Sequence, residues 1–177
     1  MSLDIKLVDS QAWGSGKLGT TRAALNVIDK TFFKNKKILD VGCGTGILGI
    51  KAKKLGATEI HCVDASGLAT RTTEQNFMLN FNSLENIFIY KGFFDEVYKN
   101  NTFDNFDMII SNVMPLVTDH LIPDYYQILN ENGSCILTGF GIADIIPDFK
   151  DFKTVEKFHT YDNWLAYRIH KNGREHN

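Results

Sequence analysis

The stretch that most constrains this chain is Ile38-Leu39-Asp40-Val41-Gly42-Cys43-Gly44-Thr45-Gly46, an apolar run that stops on alternating glycines. A short run rich in apolar residues bounded by turn signals reads as a strand. Gly42, Gly44 and Gly46 allow positive φ and bring the backbone close to a ligand. Residues 45–55 continue as a helix, and Gly56 just past its end predicts a C-terminal cap. A strand, a glycine turn and a helix aimed at that turn open a wound α/β sheet.

The rest of the chain repeats the theme. Residues 59–63 form a second strand with Asp64 at its tip, followed by a helix over 65–80. Strands over 87–90 and 107–111 follow, then a helix over 117–129 that Pro123 should bend or restart. A fifth strand covers 134–138. Residues 153–158 and 164–169 read as two more strands, joined so tightly through Tyr161-Asp162-Asn163 that they must be antiparallel. The expected fold is α/β: a doubly wound, mostly parallel seven-stranded sheet with an antiparallel C-terminal strand, Rossmann-like. At 177 residues the chain is one such domain. Residues 1–22 are expected to form an arm and lid, 23–171 the folded domain, and 172–177 a disordered tail. In such sheets the site lies off the carboxyl ends of the strands, at the switch point.

Composition removes several functions. Nineteen Lys plus Arg against 21 Asp plus Glu gives a formal charge of -2, without the basic excess of a general nucleic-acid binder. No apolar run approaches the roughly 20 residues of a membrane helix, and no signal-peptide pattern is visible. Cys43, Cys62 and Cys135 are odd in number and lack a CxxC spacing, which predicts buried thiols in a reducing cytoplasm. The five histidines do not fall at ligand spacing, so no metal site is expected.

Glycine spacing alone leaves the ligand open. Gly44-Thr45-Gly46-Ile47-Leu48-Gly49 also fits G-x-G-x-x-G, and Asp64 lies 20 residues past Gly44, as a nicotinamide dinucleotide would require. Asp40 separates the readings. A carboxylate just before the glycines repels a pyrophosphate but suits S-adenosylmethionine (SAM), which carries an ammonium and a sulfonium and no phosphate. Asp64 would then accept from both ribose hydroxyls, or cap the next helix, or both.

Leu39-Asp40-Val41-Gly42-Cys43-Gly44-Thr45-Gly46 with Val63-Asp64 resembles the SAM loop of class I methyltransferases. Trp13-Gly14-Ser15-Gly16-Lys17-Leu18-Gly19-Thr20-Thr21-Arg22 is similar to the aromatic-Gly-Thr-Gly-x-His-x-Thr-Thr-Arg segment of the ribosomal protein L-eleven methyltransferase (PrmA-type) family. Ser111-Asn112-Val113-Met114 resembles that family's Ala-Asn-Ile-Leu, and the likeness runs on through Leu121-Ile122-Pro123 to Asn163-Trp164-Leu165-Ala166. Two features depart from it. The family's N-terminal recognition domain has no counterpart here, and its histidine position holds Leu18 or, in a neighbouring register, Lys17.

The resemblance implies SAM as cofactor and S-adenosylhomocysteine as product. It places Asn112 beside the transferred methyl as a catalytic residue, and Thr20 and Thr21 at the methionine end of SAM, with Thr21 also in a catalytic role. A turn cap for Asn112 and an N-cap role for the threonines are the alternatives. Asp40, Gly42, Gly44, Gly46, Asp64 and Ala65 would hold the cofactor. Gly92 and Phe93 would read the adenine through backbone amides and a stacked ring. Trp13, Lys17 and Met114 would face the substrate, Trp13 as the tip of a lid or else as a core anchor. Trp164, in the C-terminal hairpin, is expected away from the lid. The expected reaction is methyl transfer to an amine of a protein, possibly a ribosomal one. Alternatives are a small-molecule acceptor, a non-catalytic SAM-binding or assembly subunit, and a nicotinamide-dependent oxidoreductase. Nothing in the sequence sets the oligomeric state.

Overall fold

In strand β1 (Lys37–Val41), Ile38 and Leu39 are both fully buried, yet they pack into different cores. Side chains alternate across a strand, so an apolar pair at consecutive positions requires cover on both faces. A computed structural model supplies that cover and describes residues 4–17, 19–101, 103–159 and 163–172. Helices α1 (Gly19–Ile28), α2 (Ile47–Lys54) and α3 (Gly67–Phe81) bury their apolar stripes against Ile38, Ile60, Ile110 and Ile136. Helices α4 (Phe94–Asn100) and α5 (Pro115–Ile128) cover the opposite face, where Leu39, Val63, Ile109 and Leu137 point.

The remaining strands are β2 (Glu59–Asp64), β3 (Ile87–Lys91), β4 (Phe106–Asn112), β5 (Leu129–Gly141), β6 (Thr154–His159) and β7 (Trp164–His170). They lie in the order β3-β2-β1-β4-β5-β7-β6. All neighbours are parallel except β7, which runs antiparallel to both β5 and β6. The chain winds outward from β1 to β3 and then returns to β4 on the other side of β1. The switch point therefore falls between β1 and β4, and their two loops open side by side.

Sequence reading and structure differ in three places. Helix α4 has no counterpart among the expected elements; its seven residues bury only Phe94 and Val97, too few for a periodic signal. Helix α5 starts at Pro115, a position where the missing N–H costs nothing, and runs unbroken through the exposed Pro123. Pro123 leaves only the carbonyl of Asp119 without its helical donor, on a water-facing side. Strand β5 is far longer than 134–138, because its first residue pairs with Phe106 of β4 and its end pairs with β7. Gly56 does sit past the end of α2, at φ 104, and donates to the Lys53 carbonyl at 3.0 Å. The turn residues Tyr161 and Asp162, position Leu18 and the expected tail beyond 172 lie outside the described residues.

Candidate active site

The glycine loop between β1 and α2 takes the left-handed region three times, with φ of 71, 58 and 76 at Gly42, Gly44 and Gly46. Gly44 is forced twice over. A Cβ there would stand 2.2 Å from the carbonyl oxygen of Trp13, which crosses directly above it. That crossing is held by hydrogen bonds: Thr45 N–H donates to the Trp13 carbonyl at 2.8 Å, and the Thr45 hydroxyl donates to the Gly14 carbonyl at 2.6 Å. The arm is thus stitched to the loop through its backbone. Farther back, the arm lies along α3. The Val8 amide donates to the Asn76 side chain at 2.8 Å, and the Asn76 side-chain amide donates to the Thr45 carbonyl at 2.8 Å.

Asp40 is fully buried under this loop. One carboxylate oxygen accepts from the Gly49 amide at 3.0 Å in α2. The other has no partner among the described residues. Burial pushes its pKa up to about 7; the Gly49 amide offsets part of this, and the nearby Asp64 charge adds to it. Two more buried oxygens share its situation, the hydroxyls of Thr21 and Thr138. Asp40 is two residues on from Ile38, and Thr138 two on from Ile136, so both point to the face covered by α1 to α3. Thr21 lies on α1 itself, in its first turn rather than at its cap. A buried polar atom without a partner costs about 1–3 kcal/mol. Three of them on one face, at the carboxyl ends of the strands, fit a small polar ligand with both a cationic and an anionic group.

Asp64 stands half-buried at the tip of β2. Its two oxygens accept from the amides of Gly44 at 2.9 Å and Ser66 at 2.8 Å. The cap of α3 is Ser66, whose hydroxyl accepts from Ala69, so Asp64 is not the helix cap. Each carboxylate oxygen keeps a second lone pair for a ligand hydroxyl. Ala65 is exposed beside it. The Gly92 amide is already committed to the Asp64 carbonyl at 3.0 Å and has no hydrogen left for a ring edge. Phe94 is core, whereas Phe93 is an exposed side chain at the start of α4, free to lie on a flat ligand.

The second loop at the switch point follows β4. Asn112 ends that strand, and its side chain makes no hydrogen bond within the described residues and caps nothing, since α5 begins after Met114 without a side-chain cap. Below it, the Tyr125 hydroxyl donates to Ser111 at 3.1 Å and ties the strand end to α5. Asn112 opens on a cleft of about 420 Å³ with Trp13, Thr20, Met114, Val117, Gly139 and Trp164 around it. Trp13, 67% exposed, is a rim residue and not a core anchor, and Met114 is 70% exposed. Two lining residues were missed by sequence reading. Trp164 was expected remote, but β7 carries it over the start of α1, where a Cβ on Gly19 would meet its ring at 2.3 Å. Gly139, at φ 100, lets the Val113 carbonyl approach where a Cβ would be 2.1 Å away. Lys17 is exposed and does not line the cleft.

The arrangement offers an acidic, phosphate-excluding bed under the glycine loop and, beside it, a mostly apolar mouth with no charged side chain among the described lining residues. Comparison with known proteins gives the family. A sequence model of the ribosomal protein L11 methyltransferase (PrmA) family matches residues 2–171. A ribosomal protein L11 methyltransferase of Prochlorococcus marinus (strain AS9601) is 40% identical over 135 residues, 76% of this chain and 45% of that protein. One from Macrococcus caseolyticus is 37% identical over 135 residues, 76% of this chain and 42% of that one. The chain thus spans about half the length of the curated relatives it matches. The crystal structure of a ribosomal protein L11 methylase from Lactobacillus delbrueckii superposes with a TM-score of 0.78 at 28% identity, over 93% of this chain and 83% of that one. An RNA methyltransferase from Salinibacter ruber, solved with S-adenosyl-L-homocysteine, shares the fold at a TM-score of 0.67 and 11% identity, over 87% of this chain and 94% of that one.

Proposed function

The chain belongs to the ribosomal protein L11 methyltransferase (PrmA) family, and from that premise we propose that it methylates an amine nitrogen of a protein, a ribosomal protein in the first instance, using SAM. The observation that carries this reading is Asn112: a polar side chain with no hydrogen-bond partner among the described residues, at the switch point, in a mouth of mostly apolar walls. The bed under the loop fits the cofactor. Asp40 meets its ammonium, Asp64 its ribose, and the hydroxyls of Thr21 and Thr138 satisfy the polar atoms of its amino-acid end. SAM brings an already activated methyl group, so the chain itself has only to bind, orient and exclude water.

In this reading the Asn112 amide oxygen accepts an N–H of the acceptor amine and fixes the direction of its lone pair. Met114, Trp13 and Trp164 enclose the alkyl stem of the acceptor and keep water from the nitrogen. A free lysine amine has a pKa of about 10.4, which an apolar mouth lowers. Among the described residues no carboxylate or histidine lines the cleft, so in this reading the amine's proton leaves to solvent before the transfer. The arm forms one wall through Trp13, and the Trp13 and Gly14 carbonyls tie its backbone to Thr45; α1 already begins at Gly19, so the arm expected over 1–22 gives way to helix before residue 22. The buried free thiols support a reducing, cytoplasmic setting. No helix among the described residues is long and apolar enough to cross a membrane.

The test is incubation with methyl-labelled SAM and, separately, ribosomal protein L11, ribosomal RNA and a small-metabolite fraction. Label on amines of the protein is the expected result. Label confined to RNA or metabolites overturns the acceptor, and calorimetric binding of NAD in place of SAM overturns the reaction class.

A further inference from the structure

A second cleft, of about 440 Å³, opens beside the mouth. Pro115, Leu116 and Asp119 of α5 form one wall, and Asp144, Ile145 and Pro147 of the segment after β5 form the other. The two clefts share the first turns of α5: Met114 and Val117 face the mouth, Leu116 and Asp119 the neighbouring cleft. Leu116 is 82% exposed and Ile145 91% exposed. Single exposed aliphatics need no explanation, but two on facing walls of one cleft, next to a reactive mouth, mark an interaction surface.

The charge of this surface is one-sided. Among the described lining residues the two ionisable ones are both carboxylates and none is a cation. The bias extends along the chain: residues 100–149 contain seven Asp or Glu and no Lys or Arg, although the whole sequence has 19. Asp119 makes no ion pair among those described. Asp144 gives one oxygen to the Gly141 amide at 2.6 Å and keeps the other. The neighbouring His120 turns to Asp95, at 3.0 Å, and leaves Asp119 uncompensated.

We propose that this cleft docks the polypeptide that carries the acceptor amine, by taking up one apolar and one cationic side chain a few residues from it; this rests on the protein-amine reading of the mouth. The spacing follows from the shared helix. A helix with its side chains is roughly 10 Å across, and an extended chain advances about 3.3 Å per residue, so the docked residues lie about three positions from the acceptor. An acidic wall favours a basic segment and disfavours an acidic one. The apolar pair gives the same segment a contact that salt does not screen.

The experiment measures binding without methyl transfer. A fluorescein-labelled peptide of alternating lysine and leucine is titrated with the protein, S-adenosylhomocysteine present, and read by anisotropy. Matched peptides carry glutamate in place of lysine, or serine in place of leucine. The lysine–leucine peptide should bind, and both controls should bind much more weakly. Asp119→Lys and Leu116→Ser should each weaken that binding at least ~10-fold, the effect of a central contact. Both side chains are solvent-facing, so S-adenosylhomocysteine affinity should stay at the wild-type value and certify the fold. Equal binding by both variants, or by the glutamate peptide, overturns the proposal. So does a concentration-dependent dimer in sedimentation that Leu116→Ser abolishes while no peptide binds, because the cleft is then a self-association surface. If the peptide docks as expected but no protein amine is ever labelled, the docking surface stands and the assigned reaction falls. If protein methylation is intact while neither substitution changes peptide binding, the reverse holds.

Discussion

Replacing Asp40 by Asn separates what this carboxylate does for the fold from what it does for the ligand. Its pKa stands at about 7 in the folded chain against an ordinary 3.8, chiefly because it is buried. At 1.36 kcal/mol per unit, that gap is roughly 4 kcal/mol of pH-dependent stability. The sign follows from the raised value. Between about pH 4 and 7 the folded state holds a proton that the unfolded state has lost. The contribution is therefore complete at low pH and gone once the pH passes 7. Asn keeps an oxygen for the Gly49 amide but leaves an amide N–H₂ where the second oxygen has no partner, at a cost of about 1–3 kcal/mol. The variant should be more stable than the wild type by about 1–3 kcal/mol at pH 8, and equal or worse at pH 5. Urea unfolding of the ligand-free protein at the two pH values measures this. SAM affinity should show the opposite sign: in the wild type it should strengthen from pH 6 to 8 as Asp40 ionises, and in the variant it should be weak and flat. A variant less stable than wild type at pH 8, or one whose SAM affinity keeps the wild-type pH profile, refutes the reasoning.

Three further outcomes are expected. Asp64→Ala should weaken SAM binding by roughly 1.5–3 kcal/mol, the scale for hydrogen bonds to a charged group, and should also lower stability because the Gly44 and Ser66 amides lose their acceptor; calorimetry and urea unfolding read the two parts. Asn112→Ala should leave SAM affinity within about threefold while lowering turnover by ~100-fold or more, since the side chain acts on the acceptor and caps nothing; unchanged turnover moves the alignment of the acceptor elsewhere. SAM or acceptor binding should change the fluorescence of both tryptophans, as Trp13→Phe and Trp164→Phe singly would resolve, and a silent Trp164 would place it outside the mouth.

What the sequence disclosed follows from how local each signal is. The strands β1, β2 and β4 were legible as short segments rich in apolar residues between turn signals, and the glycine turn marked where the ligand side lies. The two carboxylates were legible as chemistry because their positions relative to a strand end need no tertiary information. The start of α5 slipped by two residues because Pro115 and Pro123 give the same local signal. One starts the helix, and the other is absorbed by an exposed carbonyl.

The residues that sequence reasoning misplaced are those whose role is set by an approach from elsewhere in the chain. Gly92 carries the glycine signal of a ligand contact, yet its amide belongs to the Asp64 carbonyl. Gly139 carries no motif, yet it is the only residue type that admits the Val113 carbonyl at that distance. Trp164 reads as an ordinary hairpin strand residue until the antiparallel strand delivers it to the start of α1. Trp13, read as a lid tip or a core anchor, also takes its place from a distant approach: its carbonyl over Gly44 accepts from the Thr45 amide and the next carbonyl, of Gly14, from the Thr45 hydroxyl, which links the rim of the acceptor mouth to the cofactor loop. A loop that closes on its cofactor must therefore carry Trp13 with it, and the wall of the mouth is set by what lies beneath the glycines.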